Sequence, residues 1–159
     1  RGAGSAAFKT TVRQCTPTSL GIITMVMMAL IMTNTGMTEI LANGIASATG
    51  LVFPIFSPYI GVLGCFMTGS NTNSNVVFGA LQMRTAQLLG YSLAISLAAQ
   101  TAGAALASIM APTKVVVGAS TAGMAGRDGD VMRKLLIYTG ILIVFVSLLT
   151  IAALWITRT

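Results

Sequence analysis

The chain has 159 residues, 55% hydrophobic and only 8% charged, with nine basic and three acidic side chains that give a formal charge of +6. A mean hydropathy of +0.87 lies outside the range of an ordinary soluble domain and marks a polytopic membrane protein. With no histidine, three separated carboxylates (Glu39, Asp128, Asp130) and two cysteines, Cys15 and Cys65, outside any CxxC motif, the sequence argues against metal sites, cofactors and enzymatic catalysis.

The cations Arg1, Lys9, Arg13, Arg84, Lys114, Arg127, Arg133, Lys134 and Arg158 are dispersed, with no basic stripe interleaved with aromatics. They read as loop anchors, so the lipid bilayer is an expected partner and nucleic acid is not. Residues 1–17 read as a polar connector that opens on Arg1 without an initiator Met or signal-peptide pattern. The chain is therefore expected to be the C-terminal part of a longer protein. A first span follows at about 18–37, where roughly 20 apolar residues suffice for a 30 Å hydrocarbon core, and Thr33-Asn34-Thr35-Gly36 closes it. The unit at 38–52 is shorter and carries Glu39, Asn43, Ser47 and Thr49. It reads as a short tilted span or as a helix packed wholly against protein, its small residues favouring close helix contact.

Residues 54–89 are read as a hairpin. Pro54 and Pro58 start a first arm that runs to Met67, and a second arm runs from about Asn75 to Leu89. Between them lie Gly69-Ser70-Asn71-Thr72-Asn73-Ser74-Asn75, seven small or hydrogen-bonding residues without a charge. Each arm has about 15 residues, roughly 22 Å of helix, which passes the bilayer midplane without crossing. Non-helical polypeptide survives at membrane depth only where protein or a water-filled cavity satisfies its backbone, which predicts a re-entrant hairpin lining a solute path. Two complete spans joined by an external loop are the alternative, and the short arms and uncharged tip count against it. Gln82, Arg84 and Gln87 are expected to bring the far end of the second arm to the interface.

A span rich in small residues runs from Tyr91 to Met110, with Gly103 and Ala107 as a packing pair. Ala111-Pro112-Thr113-Lys114 interrupts it before the brief apolar stretch Val115 to Gly123. Proline lacks a backbone donor and disfavours helix in the residue before it. Residues 91–124 are thus either a broken helix with carbonyls near Ile109 and Met110 free for a ligand or ion, or an ordinary helix end with proline just after it. Gly126 to Asp130 form a loop, and 135–156 is the most lipid-like span, with Trp155 at an interface. Three basic residues in 1–17 and three in 127–134 leave the membrane orientation undetermined.

Two helical arms meeting at a polar tip place the N–H groups of one helix start beside the unpaired carbonyls of another helix end, suiting an anion and a cation respectively. Ser70, Thr72 and Ser74 add hydroxyls, and Asn71, Asn73 and Asn75 add amides that donate or accept. A small carboxylate could exchange its water for these neutral dipoles without a buried countercharge, which costs about 2.5–3.5 kcal/mol on insertion scales. The plainer reading is an N-cap cluster, since Ser, Thr and Asn start helices generally.

The string from Phe53 to Gln82, together with Ala98-Ala99-Gln100, Ser108-Ile109-Met110-Ala111-Pro112 and Gly123-Met124-Ala125-Gly126-Arg127-Asp128-Gly129-Asp130-Val131-Met132-Arg133, closely resembles the L-lactate permease family of bacterial secondary transporters. That resemblance implies proton-coupled uptake of L-lactate and related 2-hydroxymonocarboxylates such as glycolate across the bacterial inner membrane. The Ser70-Asn71-Thr72 triplet also resembles the hairpin tips of the wider ion-transporter superfamily, which cradle substrate carboxylate and coupling ion and recur in an inverted second repeat. Many members of the family have Asp where this chain has Asn71 and Ser where it has Asn73. Should that Asp carry the proton in those relatives, Glu39 is the local candidate here, or else a carboxylate favoured by its helix dipole. Lys114 beside the proline break could offset substrate charge or snorkel to the headgroups.

The expectation is an all-α polytopic membrane protein whose residues 1–159 form a C-terminal transport-domain fragment. It would use a re-entrant helical hairpin and a broken helix, with alternating access around a site shared with a missing N-terminal half. The candidate substrate contacts are Ser70, Asn71, Thr72, Asn73, Ser74, Asn75, Pro112, Thr113, Lys114, Ser120 and Thr121, with Glu39 for proton coupling. A sodium-coupled or dicarboxylate carrier of the same architecture is one alternative, and a channel or structural membrane subunit is another.

Overall fold

The structure, a computed structural model, describes residues 2–157 and contains no strand among them. Its helices are α1 (Gly2–Asn34), α2 (Met37–Thr49), α3 (Phe53–Thr68), α4 (Asn71–Leu89), α5 (Leu93–Met110), α6 (Pro112–Thr121) and α7 (Asp128–Thr157), with one 3-10 turn at Gly50–Val52. The stretches Met37–Thr68, Leu93–Met110 and Asp128–Thr157 are long and apolar enough to cross a membrane, with mean hydropathies of 1.7, 1.6 and 2.6. The protein is all-α and polytopic.

Where a connector was expected over 1–17, α1 is helical from Gly2 onward, and Arg1 lies outside the described residues. Polarity misled there because a hydroxyl inside a helix can bond its own previous turn. Thr11 Oγ1 donates to the Ala7 carbonyl at 3.0 Å, as Thr24 Oγ1 does to Leu20 at 3.0 Å. Gly36, with φ of +79°, then redirects the chain into α2, which packs on α4.

The centre of the fold is the pair α3 and α5, which run parallel in near backbone contact. A Cβ added to Gly61 would fall 2.0 Å from the Gln100 carbonyl oxygen, and one added to Gly103 would fall 2.1 Å from that of Pro58. Lipid offers no hydrophobic drive for helix association, so such small-residue contacts and interhelical hydrogen bonds must supply it. Val62 and Cys65 of α3 meet Ala104, Ala107 and Met110 of α5 and Ile143 of α7 in one buried cluster, while Phe53, Ala86, Tyr91 and Leu154 form a second.

A buried polar seam runs between α3, α4 and α5. Gln82, fully buried, donates from Nε2 to the Ser57 carbonyl at 2.8 Å. Ser57 Oγ lies 3.1 Å from Gln82 Oε1 and 3.0 Å from the Ser96 carbonyl, and Ser74 Oγ donates to the Gly61 carbonyl at 2.9 Å. Gln82 therefore faces inward, not toward the interface expected for it. In a membrane domain the polar face of a helix turns to its neighbours because lipid cannot satisfy it.

Candidate functional site

The seven-residue tip expected between the arms contracts to a two-residue turn, Gly69 and Ser70. Gly69 closes α3 with φ of +71°, its N–H donating to Cys65 O at 2.7 Å, and Ser70 is extended at φ −138°, ψ 124°. Ser70 Oγ accepts the Asn73 N–H at 3.3 Å, making Ser70 the N-cap of α4. Helix thus starts at Asn71, ahead of the expected Asn75, because a single serine cap suffices once glycine has supplied the left-handed residue. The second arm is correspondingly longer, 19 residues.

The predicted tip residues become the first turns of α4 and fall into two groups. Asn71 Oδ1 accepts from Asn75 Nδ2 at 3.2 Å along the helix, and the Thr72 side chain is exposed. Asn73 is partly exposed, while Ser74 is buried and spent on Gly61. Asn75 Oδ1 accepts from Gln100 Nε2 at 3.2 Å and from Thr101 Oγ1 at 3.3 Å, which ties α4 to α5. With Asn73 N–H on Ser70 Oγ and Ser74 N–H on Ser70 O, the backbone donors of Asn71 and Thr72 are those of the α4 start that point outward.

The interruption after α5 comes to the same place. Ala111 is extended at φ −61°, ψ 129°, and Pro112 opens α6 at its first position, where a missing N–H costs nothing. A Cβ on Gly69 would fall 2.8 Å from Thr113 Oγ1, so the first turn of α6 lies directly against the hairpin turn. Lys114 Nζ donates to Ser108 Oγ, and the Cys65 thiol lies beside both of these side chains. The ends of α3 and α5 and the starts of α4 and α6 are therefore neighbours. Two helix N-termini carry partial positive charge and two C-termini partial negative charge, with one ammonium among them.

Pro112, Thr113 and Lys114 are thus brought to Ser70, Asn71 and Thr72. Ser120 and Thr121 are not: they lie at the other end of α6, where their hydroxyls return to Val116 O at 2.8 Å and Val117 O at 3.0 Å. Glu39 is also remote from the turn. It forms a two-pronged ion pair with Arg84, through Arg84 Nε and, at 2.7 Å, Arg84 Nη2, and Asn43 Nδ2 lies 3.4 Å from its Oε1. Both side chains remain a little over two-fifths exposed.

Ser57, Gln82 and Gln100 were not singled out as site residues, yet they frame the interior face of the hairpin. Gln100 is fully buried, and its Oε1 has no hydrogen-bond partner among the described residues. The signal was present: Ser57, Gly61 and Gly64, like Ser96, Gln100 and Gly103, recur at i, i+4, i+7, a small-and-polar helix face.

The chain matches the family model described as L-lactate permease over residues 3–157. It is 41% identical over 112 residues to the glycolate permease of Escherichia coli, covering 70% of this chain and 20% of that protein. It is 34% identical over 143 residues to the L-lactate permease of Bacillus subtilis (90% of this chain, 25% of that protein). To the L-lactate permease of Escherichia coli it is 35% identical over 131 residues (80% and 24%). The chain thus spans a quarter or less of the length of these curated relatives. No solved structure matches it.

Proposed function

This chain belongs to the L-lactate permease family, and from that premise we propose that it is the C-terminal part of a bacterial inner-membrane carrier of lactate and related 2-hydroxymonocarboxylates such as glycolate. The observation that carries the reading is the meeting of the α4 and α6 starts at the Gly69–Ser70 turn. A carboxylate there would accept from the Asn71, Thr72 and Thr113 backbone donors, with Lys114 supplying the opposite charge. The hydroxyls of Ser70 and Thr113 and the amide of Asn71 would complete its coordination and meet the 2-hydroxyl group. Apart from Lys114, whose ammonium is also held by Ser108 Oγ, the donors are neutral, which keeps binding weak enough for a carrier that must release. In the bilayer, α3 and α4 would form a re-entrant hairpin and α5–α6 a broken helix, the pairing that brings half-helix ends to a midplane site.

Asn71→Ala tests this. Removing a hydrogen bond to a charged acceptor is worth about 1.5–3 kcal/mol, so the lactate dissociation constant of the intact carrier should rise roughly 10- to 150-fold. Asn34→Ala is the control, since Asn34 Nδ2 donates to the Leu30 carbonyl of its own helix at 2.9 Å, away from the turn. Unchanged affinity together with a lowered melting temperature in Asn71→Ala would reduce the α4 start to a packing element and remove it from the site.

The α3 and α5 C-termini supply a second reading. Their unpaired carbonyls suit a metal cation, which favours sodium coupling over proton coupling. A sodium jump and a proton jump applied separately to vesicles holding the intact carrier distinguish the two.

A further inference from the structure

At the start of α7 a cleft of about 470 Å³ is lined by Met124, Arg127, Asp130, Arg133, Lys134 and Ile137. Asp130 Oδ2 accepts from Arg127 Nε at 3.2 Å, whereas Arg133 and Lys134 form no ion pair among the described residues. The four charged side chains leave a net positive cleft at the polar start of α7, whose stretch has the highest mean hydropathy of the three candidate spans. Below it the apolar side chains continue without a break. Ile137 is 58% exposed, and Ile141, Phe145 and Leu148 follow at helical spacing with exposures of 64%, 58% and 59%. From residue 137 to 148 the helix rises about 16 Å, close to half of a 30 Å hydrocarbon core.

We propose that this cleft is a binding site for an anionic glycerophospholipid, its phosphate held by Arg133, Lys134 and Arg127 and one acyl chain lying along Ile137, Ile141, Phe145 and Leu148. Basic pockets at the ends of transmembrane helices recognise lipid headgroups through this combination. The apolar stripe decides between sources of phosphate, since a free anion gains nothing from it. Asp130 opposes the ligand by competing for Arg127. The site is separate from the hairpin turn and does not depend on what the carrier transports.

The test uses the intact protein in zwitterionic detergent, with native mass spectrometry to count retained lipid during titration with dioleoylphosphatidylglycerol, dioleoylphosphatidylcholine or inorganic phosphate. Phosphatidylglycerol should be retained in preference to phosphatidylcholine, and inorganic phosphate should not displace it. At about 1 kcal/mol for each cation near the surface, the double variant Arg133→Gln/Lys134→Gln should weaken phosphatidylglycerol binding roughly 30-fold. Asp130→Asn should tighten it. The charge-preserving Arg133→Lys/Lys134→Arg protein guards against a folding defect and should bind as the parent does. Equal retention of the two lipids, or wild-type binding in the charge-removing variant, overturns the proposal. Displacement by inorganic phosphate overturns the lipid assignment in favour of a free-anion site, and absence of retained lipid from the parent overturns the site altogether.

Discussion

Gly61 and Gly103 set the distance between α3 and α5, and a methyl group at either position would run into backbone that cannot rotate away. Gly61→Ala should therefore destabilise the intact protein by about 1–3 kcal/mol, the usual cost of overpacking a filled interface. Gly79, inside α4, has nothing within 4 Å of its added Cβ, so Gly79→Ala should be neutral or stabilising by up to about 1 kcal/mol. Melting temperatures of the two variants in one detergent check the pair. Equal shifts would mean that helix propensity, not the α3–α5 contact, governs both positions. The hydroxyls and amides of the seam sit on the same faces as these glycines. Ser57 and Ser74 are small enough to keep the helices close while their hydroxyls join them through hydrogen bonds, one of them to the Ser96 carbonyl.

Pro112 and Gly69 marked breaks between elements because they act through backbone geometry, whereas Pro58, expected with Pro54 at the start of the first arm, lies inside α3. Side-chain polarity was the poorer guide. Residues 71–75 read as a non-helical tip since Asn, Ser and Thr compete for backbone bonds in turns. In the structure Asn75 bonds Asn71 one turn back and reaches α5, so the same polarity is absorbed by helix. The grouping of Pro112, Thr113 and Lys114 with the hairpin tip was expected from the transporter resemblance and not from any local pattern, because nothing local relates Thr113 to Gly69. The α2–α4 link had the same origin: Glu39 and Arg84 were each visible, but their pairing depends on the fold. If Glu39 carries the coupling proton, protonation must give up a hydrogen bond from Arg84 and loosen α2 from the hairpin arm. Glu39→Gln in the intact carrier should then abolish pH-driven lactate accumulation while leaving exchange between equally buffered compartments largely intact. Normal accumulation in that variant would assign Glu39 and Arg84 to structure alone.

At the scale of the molecule, a carboxylate placed at the turn would meet protein on one side only. Ser70 and Asn71 are partly exposed, and Thr72, Thr113 and Lys114 are exposed. The chain covers a quarter or less of relatives that carry the permease name, and on the proposed reading most of the surface that closes over the turn would belong to sequence outside residues 1–159. Membrane class and helical architecture could be read from composition because they depend on the sum of many residues. Completeness of a site cannot, since it depends on which surfaces meet. Vesicles containing only residues 1–159 should therefore show no saturable lactate uptake, whereas vesicles with the intact carrier should. The exposure of Thr113 gives a second measure that needs no transport. With Cys15 and Cys65 replaced by serine, Thr113→Cys should react rapidly with a small maleimide in the isolated chain. In the intact carrier it should react more slowly, and lactate should slow it further. Saturable uptake by residues 1–159 alone, or equal labelling in all three states, would show that the open face of the turn is not where the two parts of the transporter enclose their substrate.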